Sequence, residues 1–289
     1  MTDSSDSDNV TCHGSIAYCT HDGIELKGDL YLSKSGGASP VLVAAPGGAW
    51  RVCSRASLRE WGLYLAARGY GMFAIDYRVS TPTRKAFPEA VRDVISAVRF
   101  IRGSAGRYAI DPQRIALLGV SAGAHLAALA ALAHDQADFG GAHPDDAFAT
   151  VSAEVKSAVL VYGIYDVFKQ WQADLALNPG VEGSVTRNLI GKEPYEDPQR
   201  FFDASPIKYV TYARNRLPVL VSWGTNDEFV NPAEQSEQFV RVLQQARFNV
   251  RTHRAVGASH FWFAQPPDEA GTDSAHLAPR LLMFLKSTL

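Results

Sequence analysis

The chain contains few cysteines, no excess of either charge and no long apolar segment. Its 289 residues include three cysteines, and 28 Lys and Arg residues stand against 30 Asp and Glu residues. Three cysteines cannot build the disulfide framework of a small secreted protein, so we expect free thiols in a reducing cytoplasm. Because charges of both signs are interspersed and no basic face stands out, nucleic acid and anionic membranes are poor candidate partners.

Other absences narrow the class of protein further. No apolar run approaches the length that crosses a bilayer. No His, Cys and Asp residues follow a metal-ligand spacing, so we expect neither a metal nor a cofactor. The first residues are acidic and serine-rich, and positions 1–13 are predicted to form a disordered tail. They also lack the basic and apolar parts of a secretory signal.

What the chain has is a regular alternation of short apolar runs with helix-forming stretches. Hydrophobic residues make up 46% of it, which is enough for a large core. The alternation predicts an α/β fold with a mostly parallel, doubly wound sheet of about eight strands in one domain, 14–289. Strands are predicted near 14–20, 24–32, 41–45, 71–76, 114–119, 157–162, 217–223 and 249–255, the first two as an antiparallel edge. Helices are predicted near 57–68, 86–103, 122–135, 232–246 and 274–288.

The most informative motif is Gly119-Val120-Ser121-Ala122-Gly123. An apolar run precedes it and strong helix formers follow it, as in the strand, tight turn and helix called a nucleophile elbow. Such a turn leaves no room for a Cβ beside the serine and exposes the serine hydroxyl above a helix N-terminus. The alternative is a glycine-rich turn whose serine only caps the helix.

An acid should follow the serine in the chain, and Asp227 is the predicted one. It stands in a loop just beyond the apolar run 218–224, where parallel sheets place ligands. Its neighbour Glu228 and the more distant Asp166 are the alternatives. The shorter carboxylate at the tip of the loop is favoured as the group that orients a histidine.

A histidine should come third, and His260 holds that place in the loop after the last predicted strand. His253 lies inside that strand and His276 in the C-terminal helix. His125 follows Ser121 by one helical turn, where it is expected to pack on the sheet or bond a backbone carbonyl. Histidine can take the proton of a serine hydroxyl near neutral pH and return it to a leaving group, while the carboxylate fixes its tautomer.

On these motifs the chain resembles the α/β-hydrolase superfamily. It is most similar to the hormone-sensitive-lipase-like and bacterial carboxylesterase branch, whose relatives include kynurenine formamidases. The likeness runs from about Gly23 to the C-terminus. It also rests on segments 46–50, 76–78, 110–115 and 257–261, on Phe87-Pro88 with Asp93, and on Gly224. The resemblance implies a serine hydrolase, and by analogy a homodimer through the last strand or helix.

The loop 46–50 departs from the branch, which usually opens it with His-Gly-Gly where this chain has Pro46. Proline offers no side-chain hydrogen bond, so the loop must be supported differently. By analogy with the family motif, the backbone N–H groups of Gly48, Ala49 and Ala122 are predicted to form the oxyanion hole. The alternative for this loop is an ordinary proline-glycine turn.

The resemblance also points to a cap, since the segment before the acid-bearing strand often covers the site in this superfamily. Positions 165–205 are predicted to be such a small cap or lid, with a packed surface insertion as the alternative. Five aromatic residues are candidates for the substrate pocket, although any one of them could be core: Trp50, Tyr165, Trp171, Phe261 and Trp262.

The predicted function is hydrolysis of a small acyl or aryl carboxylic ester through an acyl-enzyme. An amidase or arylformamidase acting on an N-formylkynurenine-like amide with the same triad is the alternative. A more distant alternative is a non-catalytic ligand-binding protein of the same fold, a class that commonly lacks a member of the triad.

Overall fold

Eight strands of the described residues form one sheet. The structure is a computed structural model that describes residues 9–34, 37–177 and 184–289. The strands are β1 Val10–His21, β2 Ile24–Ser33, β3 Ser39–Ala45, β4 Gly71–Ile75, β5 Ile110–Val120, β6 Ala158–Val161, β7 Val219–Gly224 and β8 Val250–Ala255. Their order across the sheet is β1-β2-β4-β3-β5-β6-β7-β8. The β1–β2 and β2–β4 pairs are antiparallel and the other pairs are parallel.

Helices occupy the connections from β3 onward and the segment after β8. Within the described residues they are α1 Arg59–Ala67, α2 Glu89–Gly103, α3 Ala105–Tyr108, α4 Ala122–Ala133, α5 Ala137–Gly140, α6 Val167–Leu177, α7 Val185–Ile190, α8 Pro198–Asp203, α9 Ser236–Gln245 and α10 Asp273–Thr288. Short 3-10 turns add Arg55–Leu58, Pro206–Tyr209, Tyr212–Arg214 and Trp262–Ala264. The segment predicted as a cap thus contains α6, α7 and α8, and its positions 178–183 lie outside the described residues.

The sheet carries helices on both faces. Tyr31 pairs with Met72, the neighbour of Phe73, so the Tyr31 and Phe73 side chains point to opposite faces. The Tyr31 ring lies against Gly62 of α1, where an added Cβ would come within 2.5 Å of it. Phe73 stacks on Phe100 of α2, with ring centroids 5.8 Å apart. The predicted doubly wound, mostly parallel α/β fold is confirmed.

The N-terminal prediction needs a correction. β1 begins at Val10, and its first residues pair with β2 from Val10 opposite Ser33 to His13 opposite Leu30. Positions 10–13 are therefore not a disordered tail, because the edge of β2 offers them backbone partners that the local sequence does not reveal. Positions 1–8 lie outside the described residues.

A buried ionic cluster connects the antiparallel edge to α2. The Arg78 guanidinium donates hydrogen bonds to both carboxylate oxygens of Asp93, at 2.7 and 3.0 Å. His21 lies 2.9 Å from Asp93 through Nδ1 and 3.0 Å from Asp146 through Nε2. Burial opposes the charged imidazole, but the hydrogen bonds to the two carboxylates outweigh it and raise the pKa of His21. The segment 76–78 and Asp93 therefore support the sheet.

Candidate active site

Three side chains form a continuous hydrogen-bonded chain at the carboxyl end of the sheet. The Ser121 Oγ lies 2.8 Å from Nε2 of His260, and His260 Nδ1 lies 2.7 Å from Oδ2 of Asp227. Asp227 and His260 are 7% and 4% exposed, so the polar chain is almost closed to solvent behind the serine. The structure thus brings together the three residues predicted as nucleophile, acid and base, although 139 positions separate the first from the last.

The turn that presents Ser121 is sharply bent and lies between β5 and α4. Ser121 adopts φ 54° and ψ −120°, a conformation that residues with a Cβ rarely enter. Its N–H donates to the carbonyl of Val161 in β6, which anchors the turn to the sheet. A Cβ added at Gly119 would overlap the backbone of Gly123, and one added at Gly123 would overlap the carbonyl of Ala45. The two glycines let the helix start directly against the strands.

The environment of Asp227 fixes its orientation and the tautomer of His260. Its Oδ1 accepts hydrogen bonds from the backbone N–H groups of Phe229 and Val230, at 3.0 and 2.8 Å. Its Oδ2 is left to accept the Nδ1–H of His260, so the Nε2 lone pair faces the Ser121 hydroxyl. Glu228, the competing acid, is exposed at the surface of the same loop.

Two of the other candidates, His253 and Asp166, have structural partners. His253 bonds the Ser222 hydroxyl at 2.9 Å, and burial lowers the pKa of its imidazole to about 4. Asp166 accepts the N–H of Lys169 at the start of α6. His276 lies on α10, after the last strand. None of the three is hydrogen-bonded to the Ser121, His260 and Asp227 chain within the described residues.

The loop predicted to bind an oxyanion has three successive residues at positive φ: Gly48, Ala49 and Trp50, at 136°, 52° and 56°. A Cβ at Gly48 would overlap the carbonyl of Val52, so only glycine fits there. The Tyr77 hydroxyl donates to the carbonyl of Pro46 at 2.9 Å. This backbone anchor supports the loop at Pro46, where the branch that the sequence resembles usually has a histidine. Ala122 is the first residue of α4, where backbone N–H groups lack helical partners.

Trp50 and His125 connect that loop to α4. The Trp50 indole N–H donates to Nδ1 of His125 at 3.2 Å, and His125 Nε2 lies 2.7 Å from the carbonyl of Ala204. Because Nδ1 accepts, the proton of the neutral imidazole resides on Nε2 and is donated to Ala204. Complete burial lowers the pKa of His125 to about 4. As expected from the sequence, His125 bonds a backbone carbonyl.

The neutral state of His125 predicts a loss of stability in acid. The ordinary pKa of histidine is 6.5, so below this pH His125 binds a proton in the unfolded chain. In the folded protein His125 stays neutral down to about pH 4. The free energy of unfolding should therefore fall between pH 6.5 and pH 4, by on the order of 2–3 kcal/mol at pH 4.5 from this residue. Urea unfolding at pH 7 and pH 4.5 measures it in wild type and in His125→Gln. The variant should be less stable at pH 7 and should lose less on acidification, and equal losses would contradict the prediction.

A cavity of about 820 Å³ opens onto Ser121 and His260. Its wall is largely apolar and includes Trp50, Val52, Leu58, Val120, Ile164, Leu177, Val185, Val230, Phe261 and Phe263. The structure places two of the predicted pocket aromatics, Trp50 and Phe261, in this wall.

The other three predicted pocket aromatics need a correction, since none of them lines the cavity. Tyr165 is fully buried and stacks on Phe239, with ring centroids 4.1 Å apart. Trp171 packs against Phe168 and Tyr195. Trp262 packs against Tyr162 and His253, and the next residue, Phe263, faces the cavity instead. Core packing competes for the same large apolar side chains that a pocket uses.

Sequence reasoning missed two polar residues of the cavity wall, Gln170 and Asp174. Both lie on α6 at a spacing of four, so they share one helix face. Both are also buried, at 3% and 6% exposure. A polar pair at helical spacing between Val167 and Leu177 was the signal available in the sequence.

Comparison with known proteins identifies the family. The BD-FAE family model matches residues 28–243. The chain belongs to the BD-FAE family. Its fold is that of the α/β-hydrolases, as the motifs predicted, and several of its relatives are named as esterases.

The most similar relatives include two proteins of Mycobacterium tuberculosis. Probable carboxylic ester hydrolase LipM is 32% identical over 82% of this chain and 52% of its own length. Esterase LipC is 35% identical over 77% of this chain and 53% of its own length. The chain therefore spans about half the length of the curated relatives it matches.

Solved structures show the same fold. A thermophilic esterase, Est2 from the Planctomycetes species Thermogutta terrifontis, is 25% identical with a TM-score of 0.71, over 94% of this chain and 89% of that one. A carbohydrate esterase from gut microbiota, at 22% identity, matches 96% of both chains with a TM-score of 0.78. In the part of this chain that the structure describes, no helix has the length and apolar character needed to cross a membrane.

Proposed function

We propose that the protein is a serine carboxylic-ester hydrolase that acts through an acyl-enzyme on small acyl or aryl esters. The observation that carries the proposal is the hydrogen-bonded chain from Ser121 through His260 to Asp227, which opens into a largely apolar cavity. Relatives named as esterases support it. The three free cysteines agree with a reducing compartment such as the cytoplasm. A homodimer stays a prediction.

In the first half-reaction Ser121 Oγ attacks the ester carbonyl while Nε2 of His260 takes the hydroxyl proton. Asp227 then faces an imidazolium through the Nδ1 hydrogen bond and stabilises it. The carbonyl oxygen becomes an oxyanion, for which we assign the backbone N–H groups of Gly48, Ala49 and Ala122 as donors. His260 returns its proton to the leaving alcohol, and the acyl group stays on Ser121.

In the second half-reaction water replaces the alcohol. His260 removes a proton from the water as it attacks the acyl carbonyl, and the same donors hold the second oxyanion. Collapse of this intermediate releases the carboxylic acid, and the proton returns from His260 to Ser121. The nucleophile and the base are then ready for another ester.

The surroundings of the site support an apolar substrate group and a covering role for 165–205. Four large apolar side chains of the cavity wall are about half exposed or more: Val52, Leu177, Phe229 and Phe261. Gln170, Asp174 and Leu177 of α6 and Val185 of α7 contribute to the wall. We therefore propose that this segment is a cap that forms one side of the substrate site.

The test combines a substrate panel with covalent labelling. We expect hydrolysis of 4-nitrophenyl acetate, butyrate and octanoate at rates well above that of N-formylkynurenine. Intact-mass spectrometry after incubation with a fluorophosphonate should show one adduct, because an activated serine attacks phosphorus as it attacks a carbonyl. Faster turnover of the formamide would favour the amidase alternative. No turnover and no adduct on the folded protein would favour the ligand-binding alternative.

A further inference from the structure

One buried carboxylate faces the cavity that holds Ser121 and His260. Asp174 of α6 lines the cavity and is 6% exposed. The other charged residues of the wall, Arg51 and Glu228, are exposed at the surface. Asp174 is thus the charged group of the wall that an entering substrate would meet away from water.

The partners of Asp174 are all neutral. Its Oδ2 accepts three hydrogen bonds, from the Ser184 hydroxyl at 2.9 Å and from the N–H and hydroxyl of Thr186 at 3.0 and 2.9 Å. Its Oδ1 accepts one, from Gln170 Nε2 at 3.0 Å. Within the described ranges no Lys, Arg or His lies at ion-pair distance from it. The carboxylate therefore keeps an unbalanced negative charge, and its Oδ1 keeps acceptor capacity.

Gln170 adds a second acceptor to the same wall. Its Nε2 donates to Asp174 Oδ1 and to the carbonyl of Phe229, at 3.0 and 2.9 Å. Two acceptors on one side fix the amide orientation, because only the NH₂ group can serve both. The Gln170 Oε1 on the other side is buried and has no hydrogen-bond partner among the described residues. Buried acceptors are normally satisfied, so this enclosed oxygen is unused acceptor capacity on a residue of the cavity wall, next to Asp174.

We propose that the cavity takes esters that carry a protonated amine, and that Asp174 is the residue that selects them. The inference rests on the proposed function and names the substrate class of that site. A primary ammonium group has three donors and a positive charge, so it matches the unbalanced carboxylate of Asp174 and the unused acceptor capacity of Gln170 beside it. A hydroxyl group offers one donor and no charge, and a methyl group offers neither.

The test uses esters that differ only in their terminal group. Ethyl 6-aminohexanoate, ethyl 6-hydroxyhexanoate and ethyl heptanoate place it on the acyl side. The acetates of 6-aminohexanol, 1,6-hexanediol and heptanol place it on the alcohol side. At pH 7, where the amines are protonated, kcat/KM of the wild type should favour the ammonium ester of at least one series. The expected preference is about 10- to 100-fold over the methyl-terminated ester of the same series, ethyl heptanoate or heptyl acetate, which is the range of a charge-assisted hydrogen bond.

Two variants separate the selection of ammonium esters by Asp174 from its structural role in the cap. Asp174→Asn removes the charge, so the preference for the ammonium-terminated ester should fall at least about tenfold. Hydrolysis of the methyl-terminated esters should persist. Thr186→Val removes one hydroxyl donor from Oδ2 and keeps the carboxylate, so its ammonium preference should match that of the wild type. If Asp174→Asn does not fold, hexylamine and 1-hexanol are compared as inhibitors of the hydrolysis of methyl-terminated esters by the wild type. Hexylamine is expected to inhibit more strongly.

The outcomes are distinct. If the methyl-terminated or hydroxyl-terminated esters are hydrolysed at rates equal to or above those of the ammonium-terminated esters in both series, this inference is overturned and the proposed function stays intact. An ammonium preference that survives in Asp174→Asn would overturn the role of Asp174. Failure to hydrolyse any of the six esters, or the 4-nitrophenyl esters, would instead count against the proposed function.

Discussion

Replacing Ser121 by Ala should lower kcat for ester hydrolysis about 10⁵- to 10⁶-fold. The Ser121 hydroxyl is bonded to the base His260, whereas the hydroxyl of Ser57, which also lines the cavity, donates to the carbonyl of Ser54. The substitution removes one oxygen, keeps a Cβ at the same φ of 54° and leaves the N–H bond to Val161 in place. The fold should therefore survive, and the residual rate should come from binding and the oxyanion donors.

The matched control is Ser222→Ala. Ser222 is a fully buried serine of β7 that bonds His253 and takes no part in the cavity wall. Its variant should keep kcat close to that of the wild type and should still form one fluorophosphonate adduct, whereas Ser121→Ala should form none. Wild-type-like turnover by Ser121→Ala would refute the assignment of the nucleophile.

Asp227→Asn should lower kcat about 10⁴-fold, the scale of losing the tautomer that a serine-histidine pair requires. The backbone N–H groups of Phe229 and Val230 both point at Oδ1, so the amide oxygen of the variant should take that position. Its NH₂ group then faces Nδ1 of His260. Because Nδ1 must accept a hydrogen bond from this NH₂ group, the neutral imidazole carries its proton on Nε2. An Nε2–H group cannot take the proton of Ser121.

Glu228→Gln is the control for charge in the same loop. This neighbour is exposed, so removing its charge should change kcat/KM by no more than about threefold for neutral esters. Both variants are measured at pH 7 with 4-nitrophenyl butyrate, and their thermal unfolding checks that each is folded. A larger loss in Glu228→Gln than in Asp227→Asn would make Glu228 the orienting acid.

The parts of the site that sequence reasoning located are those fixed by local geometry. The tight turn has no room for a Cβ at Gly119 or Gly123, the apolar run before it is a strand and the alanine-rich run after it is a helix. The carboxyl ends of parallel strands meet at one edge of the sheet, which brings the loops bearing Asp227 and His260 beside Ser121.

The parts that sequence reasoning missed depend on the direction in which each side chain points and on contacts between separate elements of the fold. In the 3-10 turn Trp262–Ala264 adjacent side chains diverge, so Phe263 reaches the cavity and Trp262 reaches the core. Composition alone cannot choose between two neighbouring aromatic residues. The partner that extends β1 to Val10 is a separate strand, and the partners that bury Asp174 and Gln170 of α6 include Thr186 of α7 and the carbonyl of Phe229.

The proposed site joins Gly48, at the start of the chain's parallel strands, to His260, which follows the edge strand β8. A chain that folds as it is synthesised has its nucleophile and acid before it has its base. Parallel strands pair only after long loops close, so this edge is expected among the slow steps. Recovered turnover during refolding would thus report completion of the sheet, whereas far-ultraviolet circular dichroism would report total secondary structure at every stage.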